Sequence, residues 1–279
     1  MTIEDKDIQL FQESIRRLAR YDFEDYSITS LRRRLTRILL EFDMDMAQLT
    51  RKMESDPGFL EKIVRKITVH TTELFRDPGI WIELEKAFLE RFRNQDRIHI
   101  WHSGCSTGQE VYSMMMLLDH LDLLDRSRIF ASDLNPDVLE TAREGKYRYR
   151  FNQSYLENFD RVILGGDGQT GRAQKKSWKK YFHIDESRDI IQMKDFLRMK
   201  PDYKVLDLVH DDNLFEQEFD VIMCRNVIIY FNTKLQNRVF KLFHTNLKED
   251  GMLILGVHES ILGPATHKFR KTDPFYVKR

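Results

Sequence analysis

Apolar positions recur at three- and four-residue spacing through the first 75 or so residues, and no strand-like alternation interrupts them. Ile8, Phe11, Ile15 and Leu18 trace one face of an amphipathic helix. Leu31, Leu35, Ile38 and Leu39 trace a second, for which Thr29 or Ser30 is the expected N-cap. Met46, Leu49 and Met53 mark a shorter third. Phe59, Leu60, Ile63, Val64 and Ile67 mark a fourth, opened by Asp56 and Pro57. After Pro78-Gly79 the helical period continues through Trp81, Leu84, Phe88 and Phe92. At Arg97 the period changes. Ile98-His99-Ile100-Trp101 alternates as a strand does and runs into a small-residue turn, Ser103 to Gly108. A helix follows with Val111, Met114, Met115 and Leu118 on one face, then a strand from Ile129 to Asp133, then a helix opened by Asn135-Pro136. Strand and helix alternating at this interval predict a parallel α/β sheet.

Tyr203 to Leu206, ending on Asp207, and Phe219 to Cys224 read as further strands. A helix through Leu235, Val239, Leu242 and Phe243 is expected to stop at Gly251, with a strand from Met252 to Leu255 behind it, and the chain closes on Phe275-Tyr276-Val277. Between about 148 and 202 the rhythm breaks. Gly165, Gly166, Gly168 and Gly171 fall here, followed by Lys175, Lys176, Lys179 and Lys180. Tyr181 to Ile184 and Ile190 to Met193 then flank a polar turn, as in a short antiparallel hairpin, so the stretch reads as an insertion.

Composition narrows the function classes. The 279 residues carry 45 Lys plus Arg against 45 Asp plus Glu, a net charge of zero, which argues against a protein held to nucleic acid by global charge. The only cysteines, Cys105 and Cys224, form no CxxC, and neither they nor His99, His102 and His183 have metal-ligand spacing. They are expected to pack rather than to ligate, so no metal is expected. In the start, MTIEDKDIQLFQ, acidic and broken by charges, no secretion signal is visible, and no apolar run approaches membrane-spanning length. A cytoplasmic protein, without direct membrane insertion, is the expectation.

Candidate chemistry gathers at the turn after the first strand. There, backbone N–H groups and a helix N-terminus meet the carboxyl end of a parallel strand, where open α/β sheets bind ligands. The glycines are spaced Gly104-x-x-x-Gly108 rather than GxGxxG, which weakens a pyrophosphate reading. Asp133, at the end of the next strand, suits the two hydroxyls of a ribose. S-adenosylmethionine is the natural candidate on these grounds, with an NAD-type site and a purely structural turn both still open.

Four separated strings resemble the CheR-type chemotaxis receptor methyltransferases, which methylate protein glutamates with S-adenosylmethionine. They are Thr71-Thr72-Glu73-Leu74-Phe75-Arg76-Asp77, then Gly104 through Ser113 (GCSTGQEVYS), then Ala131-Ser132-Asp133-Leu134 with Gly145-Lys146-Tyr147, and finally Phe219 through Asn232 (FDVIMCRNVIIYFN). The resemblance implies a small all-helical N-terminal domain over residues 1–76. A Rossmann-like methyltransferase domain over 77–279 follows, carrying the antiparallel β insertion. It further implies that Glu110 and Asp133 hold the cofactor's amino and ribose groups and that Leu134 packs on adenine. Thr72, Arg225, Asn226 and Val227 would line the methionine side, and Arg76 and Tyr230 the point of methyl transfer. The family's asparagine before Leu is best answered by Asp207-Leu208. His70 stands where an asparagine contact is usual, Leu74 replaces a Phe, Gln109 and Val111 replace Glu and Pro, and Val257-His258 depart from the late GHSES string.

The implied partner is the acidic, helical cytoplasmic domain of a chemoreceptor, met by the basic cluster Arg32, Arg33, Arg34 and Arg37. A monomer that releases S-adenosylhomocysteine is expected. The rival functions are the same chemistry on another protein, and a catalytically silent cofactor-sensing or docking module.

Overall fold

The structure is a computed structural model and describes residues 3–19, 21–68, 72–165 and 178–279. Four helices come first: α1 (Asp5–Leu18), α2 (Ile28–Phe42), α3 (Met46–Ser55) and α4 (Pro57–Ile67). Local chemistry starts them. Asp45 accepts from the Gln48 N–H at 2.7 Å while the Gln48 side chain accepts from the Asp45 N–H at 2.8 Å, and Asp56 caps α4 ahead of Pro57. Helix α2 differs from expectation. Its N-cap is Ser27, not Thr29 or Ser30, because the Ser27 N–H is held by the Tyr230 carbonyl at 2.8 Å, so the chain stays extended there and turns helical at Ile28. The apolar faces of the four helices meet in their own core, from Phe11 and Phe23 to Leu49 and Ile63.

Helix α5 (Pro78–Phe92) leads into β1 (Ile98–Ser103), α6 (Gln109–His120), β2 (Ser127–Asp133) and α7 (Pro136–Glu144). Next come β3 (Lys146–Arg148), α8 (Tyr149–Ile163), β4 (Phe182–Asp185), β5 (Ile190–Met193) and α9 (Asp195–Arg198). The chain ends with β6 (Asp202–Val205), β7 (Phe219–Cys224), α10 (Thr233–Asn246), β8 (Leu247–Leu255), β9 (Phe269–Thr272) and β10 (Phe275–Lys278). The main sheet runs β6-β2-β1-β7-β8-β10-β9. Its first five strands are parallel, and β10 and β9 complete it antiparallel. Alternate residues feed two cores: Ile98, Ile100, Val221 and Met223 pack with α5 and α6 on one face, while Trp101, Ile222 and Cys224 pack with α10 on the other. Met114, Met115 and Met116 are fully buried and serve packing.

Two expectations shift. Helix α10 ends at Asn246, not at Gly251. Leu247 already pairs with Phe219, and Gly251 lies within β8, where a Cβ would stand 2.8 Å from the Lys248 carbonyl oxygen. The insertion carries the expected hairpin, β4 with β5, but its sheet (β3-β5-β4) begins two residues before the expected boundary, at Lys146. Gly166, Gly168, Gly171, Lys175 and Lys176 lie outside the described residues.

Candidate active site

A cleft opens at the carboxyl ends of β1, β2, β6 and β7, with about 990 Å³ of space between its walls, open mouth included. The turn after β1 forms its floor. The N–H groups of Gly104 and Cys105 both donate to the Ser132 carbonyl, at 2.8 and 2.9 Å, and the Ser106 N–H donates to Asp133 Oδ2 at 2.9 Å. Gly104 has φ +78°, and a Cβ there would stand 2.5 Å from Val227 Cγ2. Gly108 has φ +87° and would meet Ala142 at 2.7 Å. The two glycines thus let the turn close onto the loop after β7 and onto α7.

Behind the floor lies a buried ionic network. Glu110 Oε1 stands 3.0 Å from His102 Nδ1, and its Oε2 accepts from Arg225 at 3.2 Å. Arg225 also donates to Asp77 at 2.7 Å and to the Arg76 carbonyl at 3.0 Å. Burial alone would raise the Glu110 pKa, but the His102 hydrogen bond and the Arg225 charge bring it below the usual carboxylate value. Glu110 is therefore an anion at the cleft wall, with lone pairs left over for a further donor. The oxygens of Asp133 accept from the Ser106 N–H and, at 3.0 Å, from the Asn135 N–H.

The segment before α5 is pinned so that Arg76 meets the cleft. Its neighbour Phe75 is fully buried and donates its N–H to Ser113 Oγ at 2.8 Å, while the Arg76 carbonyl accepts from Trp81 Nε1 at 2.9 Å. Among the described residues no hydrogen bond or ion pair ties down the Arg76 guanidinium, which lines the cleft beside Thr72 and Glu73. On the opposite wall the loop Arg225-Asn226-Val227 is held by Glu259, which accepts from the N–H groups of Asn226 (2.7 Å), Gly256 (2.8 Å) and Ile229 (3.2 Å). Burial pushes the Glu259 pKa up, against these backbone bonds. Tyr230 follows this loop, and Asp207 and Leu208 close the end beyond β6, with Leu134 near the N-terminal core.

Thr72, Arg76, Glu110, Asp133, Leu134, Asp207, Leu208, Arg225, Asn226, Val227 and Tyr230 thus share one cleft. His70 lies outside the described residues. Three contributors escape sequence reading. His102 reads as an ordinary strand histidine until its contact with Glu110 is seen. Glu259 sits in a string that departs from pattern, and Tyr26 reaches the cleft from the helical region. Cys105 lines the cleft and is buried, which pushes its thiol up, while Cys224 packs behind it in the core. Of the four arginines expected to face a partner, Arg33 and Arg37 are exposed and Arg32 pairs with Asp5. Arg34 departs from that expectation, being buried against Tyr230. No cluster able to hold a metal occurs among the described residues, and none of their helices is long and apolar enough to cross a membrane.

The donor set separates the ligand classes that the motif spacing leaves open. Two N–H groups that would cradle a diphosphate, those of Gly104 and Cys105, are spent on Ser132, and Glu110, Asp133 and Asp207 bring carboxylates to the cleft. A carboxylate-lined cleft suits a ligand bearing hydroxyls and an ammonium group, and S-adenosylmethionine carries both. Fold and cleft together define an S-adenosylmethionine-dependent methyltransferase. The chain belongs to the CheR methyltransferase family, whose S-adenosylmethionine-binding domain matches residues 70–160 and 169–276. The protein Cher3 of Pseudomonas putida is 34% identical over 92% of this chain and 89% of its own. The chemotaxis protein methyltransferase of Listeria monocytogenes is 26% identical over 98% of this chain and 97% of its own, and that of Borreliella burgdorferi 30% over 77% of each.

Proposed function

We propose that the protein transfers a methyl group from S-adenosylmethionine to glutamate side chains of chemoreceptors, giving glutamate methyl esters in chemosensory adaptation. The observation that carries this reading is Arg76, a cation with no ion pair among the described residues, lining a cleft whose other charged walls are anionic or neutralised. Glu110 would take the cofactor's amino group and Asp133 its ribose hydroxyls. Leu134, Asp207 and Leu208 would hold the adenine, with Thr72, Asn226, Val227 and the Arg225 backbone on the methionine side. When bound, the cofactor supplies an electrophilic methyl group on a sulfonium.

The chain's own residues then have a positional task. A glutamate with an unperturbed pKa of about 4.3 is already anionic at neutral pH, so no general base is needed. Arg76 aligns the incoming carboxylate by one oxygen and leaves the other free to react, and the Tyr230 hydroxyl donates a hydrogen bond to the same group. In this reading residues 1–76 form a leading domain whose exposed Arg33 and Arg37 meet an acidic receptor helix, and residues 77–279 form the transferase domain.

The test is transfer of radiolabelled methyl to receptor-containing membranes, with soluble extract assayed beside them. Base-labile label on the receptor is expected. Label only on soluble protein would move the substrate elsewhere, and none at all, with S-adenosylhomocysteine still bound, would leave a silent binding module. Arg76→Ala is expected to lower transfer at least a hundredfold while S-adenosylhomocysteine binds within a few-fold of the parent by calorimetry. Undiminished transfer would remove Arg76 from the site.

A further inference from the structure

Helix α2 sends its arginines in two directions. Arg33 and Arg37 face outward, but Arg34 is only 9% exposed and its guanidinium carbon stands 4.4 Å from the centroid of the Tyr230 ring. Its Nη1 is buried without a hydrogen-bond partner among the described residues. Burial lowers the Arg34 pKa, and the groups that offset this are the phenols of Tyr230 and Tyr26, not a carboxylate. A buried cation without an anion is disfavoured unless something else stabilises it. Here that is the electron-rich face of an aromatic ring. The backbone sets the register of the contact. The Ser27 N–H, at the N-cap of α2, donates to the Tyr230 carbonyl at 2.8 Å, and Tyr26 forms a β-bridge with Phe231. Arg34 lies two helical turns beyond Ser27, on the same face. The start of α2 therefore holds Tyr230 by its main chain while Arg34 holds it by its ring.

We propose that Arg34 is a positioning residue for methyl transfer, fixing the Tyr230 ring and strengthening its hydroxyl as a donor to the acceptor carboxylate. A cation over the ring withdraws electron density from the phenol, and a restrained ring loses less freedom when the carboxylate arrives. Helix α2 then has two separable tasks, partner docking through Arg33 and Arg37 and site geometry through Arg34. The proposal rests on the function proposed above for Tyr230.

The test compares Arg34→Met, Arg34→Lys and the double variant Arg33→Glu/Arg37→Glu in the membrane transfer assay. Tyr230 is followed in parallel by NMR of protein carrying ¹³C-labelled tyrosine, its signals assigned by their loss in Tyr230→Phe. Arg34→Met is expected to lower kcat about tenfold, with receptor KM and S-adenosylhomocysteine affinity within about twofold of the parent, and Arg34→Lys to recover part of the loss. Its Tyr230 signals shift and the ring flips faster. The double variant is expected to raise receptor KM, leaving kcat and the Tyr230 signals unchanged. If Arg34→Met fails to fold, Arg34→Gln carries the same reading. A rise in receptor KM alone, with unmoved Tyr230 signals, would make Arg34 a docking residue and overturn the proposal. Should the parent protein label no receptor, the proposed function fails, and the Tyr230 signals still decide Arg34: unchanged signals in Arg34→Met overturn its role.

Discussion

Gly104 and Gly79 make a matched pair for asking what a single methyl group does in this chain. At Gly104 the backbone is left-handed and a Cβ would stand 2.5 Å from Val227, whereas at Gly79, in the first turn of α5, nothing lies within 4 Å. Gly104→Ala is expected to destabilise by about 1–3 kcal/mol and to weaken S-adenosylhomocysteine binding, because Val227 must move and it lines the cleft. Gly79→Ala is expected to be neutral or stabilising by up to about 1 kcal/mol. Urea unfolding and calorimetry check both; equal effects at the two sites would contradict the close approach at Val227. Glu110 provides a second comparison, with a sign set by its charge. Its folded pKa lies below the unfolded one, so its contribution to stability is fully present above the unfolded value of about 4.3 and is lost as pH falls through the folded value. Glu110→Gln is expected to cost about 3 kcal/mol at pH 7 by leaving Arg225 with one anion fewer, and the gap from the parent should narrow below about pH 4. A gap that stays constant from pH 7 to pH 3 would mean that the charge is not what holds Glu110 in place. These residues also mark what a sequence can show. Asp133 is legible because it ends the strand that follows the glycine turn, and Glu110 because it stands in the string GCSTGQEVYS that resembles the CheR family. Glu259 and Arg34 are not, because each acts through a partner far along the chain, and His102 is not, because its contact with Glu110 crosses from a strand to the next helix.

At the scale of elements, the same division holds. The amphipathic helices α1 to α5 and the central strands are legible in the sequence because their apolar period is local and several turns or residues long. Strand β9 is not: Arg270, Lys271 and Thr272 are exposed at a sheet edge, where no apolar face is demanded. The start of α2 departs from the local capping preference because a contact with residue 230 decides it. One residue shows how such long-range ties combine with local ones. Asn232 caps α10 by accepting from the Leu235 N–H at 2.9 Å, and it reaches back to the helical region, donating from Nδ2 to Asp25 at 3.1 Å and from its N–H to the Asp25 carbonyl at 2.9 Å. Asn232→Ala is expected to cost about 1–2 kcal/mol, with Asn232→Ser recovering the cap but not the side-chain bond to Asp25. A lowered urea midpoint at unchanged slope, ordered parent, Ser, Ala, is the expected series. Equal losses for Ser and Ala would mean that the cap contributes nothing and the tie to Asp25 carries the effect.

The whole molecule is joined at its cleft. Tyr26, Ile67 and Thr68 reach the cleft from the N-terminal helices, while Gly104, Asp133 and Asp207 come from the sheet. Leu134 packs against the helical core from the other side, and Arg65 pairs with Asp137 nearby. That last pair is half exposed on both sides and contributes little by itself. A ligand that fills the cleft touches both parts at once, so its binding energy is shared between the helical core and the sheet. By linkage, S-adenosylhomocysteine at a hundred times its dissociation constant stabilises the folded chain by about 2.7 kcal/mol. If both parts hold it, hydrogen exchange should slow not only in β1, β2 and α6 but also in α2 and the end of α4, where Tyr26 and Ile67 adjoin the cleft. Tyr26→Ala should then weaken binding and remove the protection in α2 while leaving that in β1 intact. Protection confined to the sheet, with Tyr26→Ala binding as tightly as the parent, would show that the helical wall only stands beside the ligand and that the two parts open independently.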